Sequence, residues 1–279
     1  MNKKINPVGC ISNGINQKFG MLEIKLLSYL QLRKLRIVRT GDIVQALGIS
    51  KQRENTLLSN LCKKNAVIRL KRGVYLASRQ LPSGGFSFIS EYEILEYLMK
   101  EYGAYYMVSG PTAMYYYGYT EQIPNKIYVY NDQIYGEKQI GSKSFVFMKT
   151  AAKRLKGSEL VKMNDGSKIP FATKSRFLID CIYDWNRYNT IPAVYLWISK
   201  EINRDSAFTE KLISNANRYG NKSVQKRLGY LLETLNVDSQ RLEKLQRKIN
   251  AGKSFISYIP NKKARGKINK KWGLIINAE

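Results

Sequence analysis

The sequence predicts an α+β protein in two parts: a small N-terminal unit of helices closed by a strand hairpin, and a larger mixed unit with a small sheet and several helices. Three observations predict it. Within residues 1–80, apolar residues recur first at helical spacing and then in two short strand-like runs. Leu81-Pro82-Ser83-Gly84-Gly85 then forms a breaker cluster. Beyond it strands precede a long series of helices, the order of an α+β unit and not of an alternating α/β one. The expected organisation is therefore an N-terminal domain over 1–80, with 1–19 as an extended or disordered arm, a linker over 81–90 and a C-terminal domain over 91–279.

The N-terminal elements follow in order. Leu22, Leu26, Leu27 and Leu30 give an amphipathic helix over 22–35. Thr40 reads as the N-cap of a helix of barely two turns, with Ile43, Val44 and Leu47 on one face and Gly48 as its stop. Ser50 caps the next helix, over 51–64, which buries Leu57, Leu58 and Leu61. The connection Gly48-Ile49-Ser50 has the length that joins the two helices of a helix-turn-helix. Strands over 66–70 and 74–77 meet through Lys71-Arg72-Gly73. Three helices and a hairpin in this order predict a winged helix-turn-helix.

In the second part, residues 91–101 read as a helix and 111–117 as a helix start, while 126–130 and 144–148 read as strands. Residues 168–172 read as an edge strand at best, because Pro170 cannot donate to a ladder. Helices are expected around 177–185, 192–200, 206–219, 223–235 and 241–249.

Charge narrows the function. The 279 residues carry 47 Lys+Arg against 21 Asp+Glu, net +26, a field that favours polyanions. Residues 1–80 hold 16 basic and 3 acidic groups, residues 81–150 hold 5 and 7, and residues 151–279 hold 26 and 11. The chain has no histidine, which excludes Ser-His-Asp triads, Cys-His pairs and two-His metal sites. Cys10, Cys62 and Cys181 lack CxxC spacing and suit reduced cytoplasmic thiols. No signal-peptide-like run and no stretch of 18 apolar residues occurs, so no membrane partner is expected.

The 51–64 helix carries the most specific signal. Opposite its leucines lie Gln52, Thr56, Ser59 and Lys63, flanked by Asn55 and Asn60, a stripe without an acid. Gln and Asn can read adenine edges, Thr and Ser can reach bases or phosphates, and Lys51, Arg53, Lys63 and Lys64 can pair with phosphates. A solvated face would look similar in isolation, but the short capped helix before it and the basic hairpin after it favour a recognition helix. Glu54 falls on the apolar side, in the first turn, where it suits the helix dipole. Arg69, Lys71 and Arg72 surround the hairpin turn and can reach the backbone beside that helix.

Two other features stay open between readings. From Arg241 to Lys271 there are 11 basic residues and one acid, Glu243, with Phe255 and Tyr258 interleaved and Trp272 next; this is a phosphate track or a solvated tail. Asp180 and Asp184, four apart on a helix, suit a metal pair or an ordinary helix face. Ser109-Gly110-Pro111-Thr112 reads as an anion-receiving turn or a structural one, and the tyrosines from Tyr105 to Tyr130 chiefly as packing.

In its order of motifs the chain resembles the AbiEi family of antitoxins of type IV toxin–antitoxin, or abortive-infection, systems. The carriers are Lys71-Arg72-Gly73-Val74-Tyr75-Leu76; Tyr106-Met107-Val108-Ser109-Gly110-Pro111-Thr112-Ala113; Gly118-Tyr119-Thr120-Glu121-Gln122-Ile123-Pro124; Ile169-Pro170-Phe171-Ala172 before Arg176-Phe177-Leu178-Ile179-Asp180; and Lys226-Arg227-Leu228-Gly229-Tyr230-Leu231-Leu232-Glu233. The resemblance implies a non-enzymatic autorepressor that binds duplex DNA at inverted repeats and counters a nucleotidyltransferase-like toxin through its C-terminal domain without a stable complex. No cofactor or metal is implied.

The expected DNA-binding residues are Lys51, Gln52, Arg53, Asn55, Thr56, Ser59, Lys63, Arg69, Lys71 and Arg72. Lys222 and Lys226, read as outward on the 223–235 helix beside Glu233, join Lys262, Lys263, Arg265, Lys267, Lys270 and Lys271 as a candidate antitoxin surface that could engage RNA or a nucleotide. With no long heptad run available, a monomer or weak dimer is expected. The rival reading is a metal-dependent nuclease or nucleotidyltransferase using Asp180 and Asp184, and a third is an RNA-binding accessory protein.

Overall fold

The computed structural model describes residues 19–79, 89–249 and 254–277. Cys10, the arm expected before residue 19 and the breaker cluster at 81–85 lie outside the described residues. The chain divides into two compact units, 1–90 and 91–279.

The first unit runs α1 (Met21–Leu32), β1 (Ile37–Arg39), α2 (Asp42–Leu47), α3 (Lys51–Lys63), β2 (Val67–Lys71) and β3 (Val74–Ala77). Leu26, Leu27 and Leu30 of α1 meet Leu57, Leu58 and Leu61 of α3 in one core with Ile43 and Val67. Phe19, expected in the arm, packs against that core. The hairpin falls where the sequence placed it, and β1 adds a third strand in the order β1-β3-β2. At three residues β1 is too short to display a period-two pattern.

The N-cap of α2 is Gly41 and not Thr40, and its first-turn amides are met from outside the helix by Glu54. Gly48 ends α2 in the left-handed conformation, and the Ser50 hydroxyl accepts from the Arg53 amide at the start of α3.

The second unit is built on α4 (Glu91–Tyr102), β4 (Tyr106–Val108), α5 (Gly110–Tyr116), β5 (Lys126–Asn131), β6 (Gly136–Ile140), β7 (Lys143–Lys149), β8 (Ser158–Lys162) and β9 (Lys168–Ala172). Their strands make a mixed six-stranded sheet in the order β6-β7-β5-β4-β9-β8, larger than the sequence suggested. β9 is an interior strand, not an edge. Its pairing with β4 is a single register pair, Val108 with Phe171, one residue past Pro170, so the ladder on that side forms beyond the missing donor.

Helices α6 (Lys174–Tyr183), α7 (Trp185–Tyr188), α8 (Ala193–Arg204), α9 (Phe208–Tyr219), α10 (Lys222–Thr234) and α11 (Ser239–Gln246) follow. Among the described residues no helix is long and apolar enough to cross a membrane. Cys62 and Cys181 are free thiols.

The basic C-terminal end is a folded part of this unit. β10 (Ile256–Ser257), β11 (Lys267–Asn269) and β12 (Leu274–Ile276) form a three-stranded sheet in the order β10-β12-β11. Trp272 is fully buried, and its Nε1 donates to Glu233 of α10 at 2.7 Å. Arg227 of α10 donates to the Ser257 carbonyl, and the Tyr195 hydroxyl of α8 donates to the Tyr258 carbonyl at 2.9 Å. A solvated tail is therefore excluded for the segment 254–277.

Gly229 explains how the indole fits. A Cβ at position 229 would stand 2.0 Å from the Trp272 ring, so only glycine lets the tryptophan lie on α10. Gly229→Ala is expected to destabilise the full chain by about 1–3 kcal/mol through overpacking, although alanine is the better helix former. In a Trp272→Ala background the same change should be neutral or stabilising. Chemical denaturation of the four chains of this cycle checks the coupling.

Candidate nucleic-acid interface

The face of α3 that lacks leucines lies open. Lys51, Gln52, Arg53, Asn55, Thr56, Ser59, Asn60 and Lys63 are all exposed, while Leu57, Leu58 and Leu61 are buried. The Thr56 hydroxyl donates to the Gln52 carbonyl, which leaves its lone pairs and methyl group outward. The stripe is amides, hydroxyls and cations, a set that both donates to and accepts from base edges.

Glu54 holds this helix in place. Its side chain is fully buried, and its carboxylate accepts from the Gly41 amide at 2.9 and 3.0 Å and from the Ile43 amide at 3.2 Å. The sequence assigned it to the dipole of its own helix; the structure places it at the N-terminus of α2. There it meets otherwise orphaned donors and the positive end of that helix, and so fixes α2 against α3.

The wing is the β2–β3 turn. Arg69 and Arg72 are exposed, whereas Lys71 is half-buried. The Gly73 carbonyl accepts from the Thr40 amide at 2.9 Å, which ties the wing tip to the chain leading into α2. β1 contributes a cation that sequence reading missed: exposed Arg39 stands opposite Val74, at the base of the same turn. The brevity of β1 hid it. Lys64, expected among the phosphate contacts, is instead salt-bridged to Glu23 at 2.6 Å and lies over the Phe19 ring.

In the second unit the expected basic surface is only partly available. Lys222, Lys262, Lys263, Arg265, Lys267 and Lys270 are exposed. Lys226 is not outward: its side chain is 3% exposed and its ammonium donates to the Ser254 carbonyl at 2.6 Å. Burial, with the charge of Lys222, pulls its pKa below the usual lysine value. The docked C-terminal segment covers the face of α10 that a helical wheel leaves to solvent. Lys271 is paired with Glu233.

Asp180 and Asp184 are each engaged by the protein. Asp180 is fully buried and takes the guanidinium groups of Arg176 and Arg154 together with the Ser109 hydroxyl. Asp184 accepts from the Tyr130 hydroxyl. A buried carboxylate engaged by two guanidinium groups is committed to structure, which removes the motive for reading the pair as a metal site. The turn at Ser109 serves the same hub, and Thr112 accepts from the Tyr128 amide at 2.9 Å, so this is a structural turn. Tyr130 is buried and Tyr106 half-buried, but Tyr105, Tyr115 and Tyr116 are exposed.

Residues 25–77 match the family model described as a transcriptional regulator, AbiEi antitoxin. The AbiEi resemblance holds in the N-terminal unit. The match begins inside α1 and ends with β3, so it spans the three helices and the wing of the first unit. No curated protein matches the chain. Among solved structures the chain is similar to the RV2827C protein from Mycobacterium tuberculosis, with a TM-score of 0.56 and 15% identity over 94% of each chain. At that identity the likeness is one of fold, and it extends through both units.

Glu54→Ala would strand the Gly41 and Ile43 amides that the carboxylate now satisfies. The expected loss is about 2–4 kcal/mol for the N-terminal unit, with Glu54→Gln costing less because one amide oxygen still accepts. Hydrogen exchange of the α2 and α3 amides in the full chain, compared with those of α6, reads this directly.

Proposed function

We propose that this protein is a DNA-binding antitoxin and autorepressor of a type IV, abortive-infection toxin–antitoxin system. Its N-terminal unit enters the major groove of duplex DNA with α3 while the wing lies on the backbone. The observation that carries the reading is the exposed, acid-free stripe of α3 set beside Arg69, Lys71 and Arg72. Gln52 and Asn55 are assigned base edges, Thr56 and Ser59 bases or phosphates, and Lys51, Arg53, Lys63 and the wing cations the phosphates. The protein is assigned to inverted repeats in its own operator as a monomer or weak dimer, in the cytoplasm, without cofactor, metal or catalysis.

The second unit is assigned the counter-toxin role, against a nucleotidyltransferase-like toxin and without a stable complex. Its exposed cations Lys222, Lys262, Lys263, Arg265, Lys267 and Lys270 are the surface for it. Lys226 is withdrawn from that surface and Lys271 serves it only through its pairing with Glu233.

Gln52→Ala or Asn55→Ala should cost about 1–3 kcal/mol on operator DNA and relax preference at one or two base pairs. Arg72→Ala should instead weaken all duplexes alike and lower the slope of log K against log salt by about 1. Binding isotherms on operator and scrambled duplex at several salt concentrations check both. Equal losses on the two duplexes for the Gln52 variant would remove it from base reading.

Repression and toxin neutralisation should separate. A full-length chain carrying Gln52→Ala with Arg72→Ala is expected to lose repression of a reporter yet still rescue growth beside the toxin. Loss of both together would place neutralisation in the winged unit.

A further inference from the structure

Lys262, Lys263 and Arg265 come from the short loop between β10 and β11, Lys267 opens β11, and the four line a single cavity of about 670 Å³. Gly266, Ile276 and Asn277 complete its wall, and no carboxylate among the described residues lines it. The sequence has no Asp or Glu between Glu243 and Glu279.

The loop is held in shape from beneath. Asn277 is buried; its Nδ2 donates to the carbonyls of Ile259 at 2.9 Å and Lys263 at 3.1 Å, and its Oδ1 accepts from the Ile259 amide at 2.9 Å. The Arg265 amide donates to the Lys263 carbonyl at 2.8 Å. Gly266 passes so close to β12 that a Cβ there would stand 1.9 Å from the Ile276 carbonyl oxygen. Loop carbonyls are thus turned inward and satisfied, while the cationic side chains are displayed around a concavity. A merely solubilising run of lysines requires neither the asparagine clamp nor the close backbone approach.

We propose that the loop 262–267 binds a compact polyphosphate, the di- or triphosphate group of a nucleotide, either free or at the 5′ end of an RNA. Lys263, Arg265 and Lys267 around one cavity match several adjacent phosphates, with arginine able to grip one by a two-pronged hydrogen bond and the lysines acting as point charges. The cavity is of small-molecule size, and its charges are gathered within six residues rather than spread along a face as a duplex backbone would require. The proposal names a ligand class for the surface given the counter-toxin role above. It stands on the cavity itself, and binding measured without toxin or operator keeps its failure distinct from failure of that role.

The test is calorimetric titration of the full chain with inorganic tripolyphosphate, ATP, and one oligoribonucleotide carrying either a 5′-triphosphate or a 5′-hydroxyl. Tripolyphosphate and ATP should compete for one site with a Kd on the order of micromolar. Lys263→Ala with Arg265→Ala and Lys267→Ala should weaken this at least about 30-fold, roughly the loss of three charge-assisted contacts. Removing the same charge elsewhere, by Lys138→Ala with Lys149→Ala and Lys200→Ala, should change it less than about threefold.

Gly266→Ala keeps every cation and shifts the loop, so about a tenfold loss is expected with the thermal transition of the other helices retained. Preference for the 5′-triphosphate RNA over the 5′-hydroxyl RNA assigns the site to an RNA end. Binding of ATP with no such preference assigns it to a free nucleotide.

Three results would overturn the proposal. One is equal losses in the two triple variants, which would mean a diffuse field. Another is unchanged affinity in Gly266→Ala, which would mean that loop shape is irrelevant. The last is binding of the RNAs without binding of tripolyphosphate or ATP, which would mean that the phosphodiester backbone is the ligand.

Discussion

The recognition geometry depends on one buried carboxylate. Glu54 belongs to α3, yet its oxygens accept from the Gly41 and Ile43 amides at the start of α2. A six-residue helix has too few internal hydrogen bonds to persist alone, so α2 exists because α3 supplies its cap and the core receives Ile43. The same contact sets the angle between the two helices. It therefore aims the polar stripe of α3 relative to the wing, whose tip is tied to Thr40 just before α2.

The second unit has its own pair of constraints, and each disposes of a feature that sequence reading left open. Asp180 gathers Arg154, Arg176 and the Ser109 hydroxyl into one buried cluster that joins the β4–α5 corner to α6. Losing the Asp180 carboxylate would leave two guanidinium groups without their counter-charge, and this accounts for so polar a set at a fully buried position. Trp272 over Gly229 is the other constraint. It seats the C-terminal sheet on α10, and with Arg227 and Lys226 donating to carbonyls of that segment it turns a run of basic sequence into a folded surface.

Electrostatics then divide into two kinds. Cations that fold the chain have acids, carbonyls or rings as partners, as with Lys64 on Glu23, Arg176 on Asp180 and Lys226 on Ser254. Those on the stripe of α3, at Arg72 and at Lys263, Arg265 and Lys267 face solvent. The net charge of +26 is thus not a uniform coat, and the exposed groups cluster on elements with fixed geometry. A fixed geometry lets charge choose among anions rather than merely attract them.

The sequence by itself determined the local elements and the exposed face of α3. Leu57, Leu58 and Leu61 fix which side of that helix is buried, and a helical period needs no tertiary information to read. Ser50 and Gly48 mark their helix ends by chemistry that acts within a few residues.

Only the tertiary structure decided whatever depends on partners distant in the chain. Glu54 serves an N-cap thirteen residues upstream of it, because a long side chain can cap any amide that packing brings near. Lys226 looked outward on a helical wheel because the wheel shows one helix, and the segment that covers it lies 28 residues further on. β9 became an interior strand through a single pair with β4, and the six basic residues from Lys262 to Lys271 became a shaped loop and sheet through Asn277 and Trp272. Periodicity reports which face of an element is apolar. What comes to lie on that face, and which charges are left for a ligand, follows from packing between elements that no local pattern encodes.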